Sequence, residues 1–424
     1  MALGFHPACV ISAITYQDTK NVKGVYPLPP LCVKSQAEAL FSDLKVVAVK
    51  VGMLWSKDNV EAVAELLDKH REAPLVVDPV VEAKGGEPLI EKEGIKVLTD
   101  KLLPLATVVT PNVKEAETLT GVKVRSEEDL KAALENLKEL GVKNPVIKGW
   151  RRGEKVIDLL LHEGNIYMFK REAVEDVRGS GCTFSSAIAA LLAKGYPLPE
   201  AVEEAGWFTW RAIRSSEPVG LGFKVIEPLK EIEKASAKLE ALYEVRKGLR
   251  VLEESPELVK LIPEVRMNLV VGIPGAKEID DVCGVEGRVT EVAGKPRAAG
   301  CPSFGASSHL ARLVIEVMKH KPHLRAALNV KYSPETLEAC RRLGFKLACF
   351  DRRMEPENVQ SIEGRSLTWG VQEALKNFEG DPDAIYDEGG VGKEPMIRLL
   401  GRSALEVVKK ARKIASELEN IISK

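Results

Sequence analysis

Arg178-Gly179-Ser180-Gly181-Cys182-Thr183 decides how the first half of this chain reads. Two glycines flank a serine, and a run of helical character follows through Phe184, Ile188, Leu191 and Leu192 to Gly195-Tyr196-Pro197. This is a glycine-rich turn feeding a helix N-terminus, where unpaired backbone N–H groups meet the positive end of the helix dipole. Such a place suits an anion, and it favours the thiolate of a cysteine in the first turn. Taken alone, the same residues also describe a tight turn with a buried cysteine. What lies upstream separates the two.

Outward from that turn, short apolar runs alternate with helical patterns. Residues 8–14 read as a buried strand ending at Thr15-Tyr16-Gln17-Asp18, and Val46–Val51 as another, stopped by Gly52-Met53-Leu54. A helical pattern over 58–70 precedes Pro74-Leu75-Val76-Val77-Asp78-Pro79. Ala106–Asn112 and, after a helix near 127–140, Pro145–Gly149 complete the set. Strands alternating with helices imply an α/β fold, a parallel sheet with helices on both faces and ligands beyond the carboxyl ends of the strands. Gln17, Asp78, Asn112, Glu115 and Lys148 fall at those ends. Asp78 and Glu115 suit Mg²⁺ held largely through water and phosphate, and Lys148 is a mobile charge for a nucleotide phosphate. Each alone is an ordinary cap or turn residue; the set carries the inference.

A chain of 424 residues exceeds one ordinary core, so two domains or more are expected. A composition 45% hydrophobic and 29% charged is that of a globular protein, and a net charge of -1 makes nucleic acid and anionic membranes poor partners. No apolar run reaches membrane-spanning length and no signal layout opens the chain, so a cytoplasmic location is expected. Seven scattered cysteines without a C-x-x-C pair argue against a disulfide framework or a structural zinc site.

The first 222 residues resemble the hydroxymethylpyrimidine/phosphomethylpyrimidine kinases of thiamine biosynthesis, members of the ribokinase-like superfamily. VISAITYQDTKNVKGVYPLPP, AVKVGML, VVDPVVEAKGG, LLPLATVVTPNVKEAE, VIKGW and RGSGCTFSSAIAALLAKG carry the likeness. The resemblance implies a parallel sheet flanked by helices, with ATP and Mg²⁺ as cofactors. It places Gln17, Met53 and Val80 in the pyrimidine pocket, Asp78 and Glu115 on Mg²⁺ and phosphates, and Lys148 on ATP. Gly179, Ser180 and Gly181 would form the anion hole, and Cys182 takes the position where sugar kinases of the superfamily carry an aspartate base. Pyridoxal kinases are the neighbouring alternative.

The chain departs from that pattern in three places. Arg178 stands where histidine is usual, and Lys148-Gly149-Trp150 replaces a more common second glycine. The family's opening strand, its A-G-S-D-x-x-G-G-A-G loop and the following helix do not precede Met1-Ala2-Leu3-Gly4. Weak or absent kinase activity of this polypeptide is the corresponding expectation.

After Gly220-Leu221-Gly222 that pattern ends. Residues 223–236 are expected to be a linker, within a Lys/Glu-rich amphipathic stretch over 228–254. Residues 237–424 resemble the archaeal-type thiamine-phosphate synthase domain through MNLVVGIPGAKEIDDVCGVEGRV, CPSFGASSHLARLVIEVM, ALNVKYSPETLEACRRLGFKLACFDRR and DAIYDEGGVGKEPMIRLLG. A second α/β domain follows from it. The implied reaction joins hydroxymethylpyrimidine diphosphate to hydroxyethylthiazole phosphate and releases diphosphate.

Read physically, Ser307, Ser308 and His309 open an apolar helical stretch whose first turn suits phosphate, while Arg288 and Lys393 supply charge. The resemblance places Arg288 and His309 on the functionally important arginine and histidine; Arg288 is assigned to diphosphate. Asp351 and Asp387 are further polar candidates. A homo-oligomer acting on pyrimidine and thiazole phosphates is expected. Two other readings are a thiamine-phosphate-binding regulator, which should carry a helix-turn-helix and a basic face, and a synthase with an inactive kinase scaffold.

Overall fold

Capping residues fix where several helices begin. In the computed structural model, Ser56, Asn112, Ser126, Ser333 and Ser403 each accept the backbone N–H three residues on. The structure describes residues 1–175, 177–356, 365–390 and 392–423. These form two units, Met1–Ile232 and Glu233–Lys424.

The first unit opens with an antiparallel hairpin, β1 (Ala13–Gln17) and β2 (Val22–Pro27). The strand thus lies later than the expected 8–14, and it is not buried: Ile14 and Tyr16 are exposed. With only one partner strand, the hairpin leaves one face to solvent, and an apolar run by itself does not reveal that. Helix α1 (Pro30–Asp43) follows. Then come β3 (Val49–Val51), α2 (Lys57–Asp68), β4 (Leu75–Val77), α3 (Lys92–Val97) and β5 (Val108–Val109).

Strands β3, β4 and β5 pair in parallel, as the alternating pattern requires. Beyond β5 and the helices α4 (Val113–Thr120) and α5 (Glu127–Glu139), β6 (Val146–Arg152) continues the parallel order through the Asn112–Lys148 bridge. It then starts an antiparallel meander with β7 (Lys155–His162) and β8 (Asn165–Glu172). Helices α6 (Ser180–Ala193) and α7 (Leu198–Arg214) come last. On β4 the side chains alternate: Leu75 and Val77 join a core with Leu67, Leu130 and Leu134, whereas Val76 joins Ile188 and Val202. The sheet is therefore covered on both faces, and its carboxyl ends are left for the site.

Helix α8 (Lys230–Glu253) carries the division between the units, and its tail opens the second core. The strands of that unit are β9 (Leu269–Gly272), β10 (Val282–Val285), a β11–β12 hairpin (Val289–Val292, Lys295–Ala298), β13 (Pro302–Phe304), β14 (Ala326–Lys331), β15 (Leu347–Cys349), β16 (Ala384–Asp387) and β17 (Met396–Gly401). Seven of them form one sheet in the order β13-β10-β9-β14-β17-β16-β15, antiparallel except for the β15–β16 pair. The helices are α9 (Ser308–His320), α10 (Pro334–Arg342), α11 (Arg365–Leu375) and α12 (Ala404–Ile422).

Leu269 and Gly272, three apart on β9, point to opposite faces. A Cβ at Gly248 of α8 would meet Leu269 and Ala404, while one at Gly272 would meet Met318 and Val314 of α9. Helices α8 and α12 thus cover one face of the sheet and α9 the other. Among the described residues, no helix is long and apolar enough to cross a membrane.

Candidate functional site

In the first unit the strand ends deliver four chemical groups to one place. Asp78, just past β4, is buried, and its Oδ1 accepts Lys148 Nζ at 2.5 Å while its Oδ2 accepts the Ser185 hydroxyl at 3.2 Å. Lys50 Nζ stands 3.9 Å from Asp78 Oδ2. Glu115 sits in the first turn of α4, where Asn112 and Glu115 form a reciprocal capping box: the Asn112 side chain accepts Glu115 N–H and Glu115 Oε2 accepts Asn112 N–H at 2.8 Å. The cap holds the carboxyl group at the mouth of the sheet.

The turn at 179–182 closes the other side. Gly179 is the N-cap of α6 at φ +90°, a conformation an L side chain resists. A Cβ at Gly181 would lie 3.2 Å from Lys148 Nζ and 3.8 Å from Asp78 Oδ2, so the α6 N-terminus abuts the ion pair. Cys182 is exposed rather than buried, which removes the simple tight-turn alternative for it. A cleft of about 780 Å³ joins Gln17, Val80, Lys148, Gly181, Cys182 and Trp210. Met53 does not line it; its carbonyl accepts the Ser12 hydroxyl at 2.6 Å beside the hairpin.

Burial shapes the electrostatics. It pushes Asp78 up, but Lys148 and Lys50 outweigh it and hold the carboxyl below the usual carboxylate range. Glu115 goes the other way: burial raises it to about 7, against the pull of Lys148 and with the push of Asp78. For Lys148, burial is outweighed by Asp78 and Glu115, which keep the ammonium protonated. Among the described residues, no three His, Cys, Asp or Glu side chains converge as a metal set. A Mg²⁺ ion here would draw much of its shell from phosphate and water, which the hard oxygens of Asp78 and Glu115 fit.

The second unit carries its candidates on loops around β10, β16 and β17. Arg288 follows the C-terminal end of β10, in a turn at φ +70° after Gly287. A bulky residue held left-handed is strained. Arg288 N–H donates to Val285 O, Arg288 O accepts Ala299 N–H, and the guanidinium donates to Val265 O. The Glu394 carboxylate accepts both Glu264 N–H and Val265 N–H, at 2.9 and 3.1 Å, which ties the loop Lys393–Pro395 before β17 to the same segment.

Lys393 belongs to that loop, and its Nζ donates to Glu355 at 3.1 Å and to Ser366 at 2.8 Å. Asp387 is buried under Arg352 and Arg398, whose charges overcome the effect of burial and hold its carboxyl low. Asp351 pairs with Arg353, two residues on. Ser307, Ser308 and His309 stand at the start of α9. They follow Phe304, which pairs with Cys283, and Gly305 N–H bonds Val282 O at the N-terminal end of β10. From there the chain turns back: a Cβ at Gly284 would lie 3.2 Å from Ser307 Cβ, so the start of α9 lies over the half of β10 that leads to Arg288.

Two family descriptions match these units. Phosphomethylpyrimidine kinase covers residues 1–227, and thiamine-phosphate synthase ThiN covers 244–413. The bifunctional thiamine biosynthesis protein ThiDN of Methanocaldococcus jannaschii is 31% identical over 421 residues, 97% of this chain and 92% of that protein. The chain belongs to this two-part kinase–synthase family. The thiamine-phosphate synthase ThiN of Methanothermobacter thermautotrophicus is 42% identical over 177 residues, 42% of this chain and 93% of that one. The structure of Bacillus subtilis pyridoxal kinase in complex with ADP is 28% identical with a TM-score of 0.50, covering 55% of this chain and 89% of that one. The kinase part thus has the ribokinase-like fold.

Several residues at these sites were not visible as candidates in the sequence. In the kinase part, Lys50 and Ser185 reach Asp78 from β3 and α6. The buried Asp158–Arg171 pair backs the cleft from β7 and β8. Lys50 sits at the middle of an apolar triplet, Val49-Lys50-Val51, and a charge in such a strand was the one available signal. In the synthase part, Arg352, Ser366 and Arg398 surround Asp387 and Lys393. The Asp351-Arg352-Arg353 run marks charge but not which arginine turns inward.

Proposed function

We propose that this is a bifunctional thiamine-biosynthesis enzyme. Its first part transfers phosphoryl groups from ATP to hydroxymethylpyrimidine and its monophosphate. Its second part condenses the resulting diphosphate with hydroxyethylthiazole phosphate. The observation that carries the kinase reading is the meeting of Asp78, Lys148 and Glu115 with the N-terminus of α6 in one cleft.

Phosphoryl transfer needs positioning and charge stabilisation more than covalent chemistry. The backbone N–H groups at Gly179–Gly181 suit the transferred phosphoryl group, and Lys148 the nucleotide phosphates. Cys182, exposed in the first turn of α6, suits the role of base toward a primary hydroxyl. Mg²⁺ would supply further charge neutralisation, held through Asp78 and Glu115. Gln17 and Val80 suit the pyrimidine.

In the synthase part the difficulty is departure of diphosphate from a benzylic-type carbon. Arg288 suits the growing negative charge, and a site that excludes water protects the pyrimidine cation. Ser307, Ser308 and His309, at the start of α9, are candidates for phosphate contact.

Two assays test the proposal: ATP-dependent phosphorylation of hydroxymethylpyrimidine, and formation of thiamine phosphate from the two phosphorylated halves. Cys182→Ala is expected to lower the first by about a hundredfold or more and to leave the second unchanged. Phosphorylation at the wild-type rate in Cys182→Ala would remove the cysteine from the mechanism. The wild-type rate itself decides the expectation of weak kinase activity.

A further inference from the structure

The corner where Arg352, Ser366 and Lys393 meet shows an unusual division of labour. Asp387 lies at the end of β16 and is fully buried. Its carboxylate accepts Arg352 Nε at 2.5 Å and Arg352 Nη2 at 3.2 Å, Arg398 Nη1 at 2.7 Å and Gly389 N–H at 3.0 Å. A two-point grip of this kind fixes the plane of a guanidinium. Arg352 is thereby held with its Nη1 donating to the Ser366 hydroxyl at 3.1 Å. From the opposite loop, Lys393 Nζ donates to the same oxygen at 2.8 Å.

Two cationic donors therefore converge on one neutral hydroxyl. A hydroxyl oxygen accepts both, but it returns much less electrostatic stabilisation than an anionic oxygen at that point. The side chain of Arg352 is 10% exposed and that of Lys393 40% exposed, so one donor is pre-set and the other can be reached from solvent.

We propose that this corner binds the phosphate monoester of the thiazole substrate; the inference rests on the synthase reading above and assigns the substrate's place within it. Three observations favour the monoester over the diphosphate of the other substrate. The carboxylates at the corner are committed, Asp387 to two arginines and Glu355 to Lys393, so the corner presents donors and no carboxylate ready for a diphosphate-bound cation.

Arg288, assigned to the diphosphate, is tied to the Glu264–Val265 segment, and Glu394 beside Lys393 ties to the same segment. Two anion-binding places thus share one end of the sheet. Finally, the thiazole phosphate group sits on a side chain away from the ring nitrogen that forms the new bond. An anchor on a non-reacting part of a substrate is what orients the reacting atom.

The test has two arms, both on the full chain. In the first, lysine acetylation by an amine-reactive reagent is followed by mass spectrometry at Lys393. Inorganic phosphate should slow labelling of Lys393 several-fold against chloride at equal ionic strength, and thiazole phosphate should do so at lower concentration. In the second, Lys393→Gln should raise the KM for thiazole phosphate about tenfold, the scale of one charge-assisted hydrogen bond, with the KM for pyrimidine diphosphate unchanged. Lys393→Arg should recover part of the loss.

Unchanged Lys393 labelling with thiazole phosphate would overturn the proposal. So would protection by pyrimidine diphosphate alone, or a KM effect on that substrate instead. If the wild-type chain makes no thiamine phosphate, the synthase reading fails, and the labelling arm with inorganic phosphate still decides whether the corner binds phosphate.

Discussion

Asp158 Oδ1 accepts Gly149 N–H at 2.7 Å at the point where β6 slips against β7. The pairing jumps from Ile147–Leu159 to Trp150–Ile157, so Lys148 and Gly149 together face the single residue Asp158. This is a bulge, with Gly149 at φ +77°, and a side-chain carboxylate there replaces the missing ladder partner. The bulge sets the direction of Lys148, whose own N–H bonds Pro111 O at 2.9 Å on the other side. Arg171 neutralises Asp158, and Gly206 of α7 leaves room for its guanidinium. Asp158→Ala would leave Arg171 as a buried, unpaired charge. The expected loss is about 3–5 kcal/mol of stability, with Asp158→Ala/Arg171→Met recovering part of it. Urea unfolding of the three proteins measures this, and equal stability of the single and double variants would contradict it.

Gly181→Ala separates stability from catalysis. The added methyl would stand 3.2 Å from Lys148 Nζ, which Asp78 pins and which cannot retreat without breaking that pair. A helical glycine replaced by alanine otherwise leaves stability unchanged or raises it by up to about 1 kcal/mol. The variant should fold at least as well as the parent, while phosphorylation slows by about ten- to a hundredfold through misplacement of the lysine. A thermal scan beside a rate assay reads both.

Glu115 gives the kinase unit a pH dependence with a definite sign. Burial is the main cause that lifts its carboxyl from an ordinary 4.5 to about 7. The folded state therefore holds this proton more tightly than the unfolded chain does. The associated stability is fully present below about pH 4.5 and is lost as pH rises through about 7. Asp78 is depressed, so its contribution is lost only in acid, below the ordinary 3.8, and the window between belongs to Glu115. Trp55, Trp150, Trp207 and Trp210 all lie in the first unit, so tryptophan fluorescence reports mainly its unfolding. In EDTA, the urea midpoint should fall from about pH 5 to about pH 8, and Glu115→Gln should flatten that slope. A midpoint that rises over that range would contradict the assignment.

The kinase cleft was legible because its residues sit at the ends of strands that alternate with helices. Asp78, Glu115, Lys148 and the Gly179–Gly181 turn each follow an apolar run, and a parallel sheet brings such ends together. Asp158 was not legible: it lies inside Val156–Leu161, where nothing local separates it from a solvent-facing strand residue. The hairpin was misplaced because Val10, Ile11 and Ile14 look like core residues, and exposure depends on what covers a strand. In the synthase unit each polar residue was visible singly. Their grouping was not, because a mostly antiparallel sheet sends successive loops to alternate ends. Ser307 comes back beside Gly284 only because the chain reverses after β13, and Lys393 joins Arg288's end from about a hundred residues away.

The start of α9 has a kinetic consequence. A Cβ at Gly284 would lie 3.2 Å from Ser307 Cβ, and Arg288 follows Val285, the last residue of β10, by three positions. Groups that act on one bound molecule are coupled, and their effects do not simply add. Arg288→Ala and His309→Ala should therefore each lower kcat/KM for thiamine phosphate formation, and the double variant should lose less than the product of the two single effects. The measurement is a double-mutant cycle on kcat/KM with both substrates saturating in turn. A double variant slowed by the full product would mean that the two side chains act on separate groups.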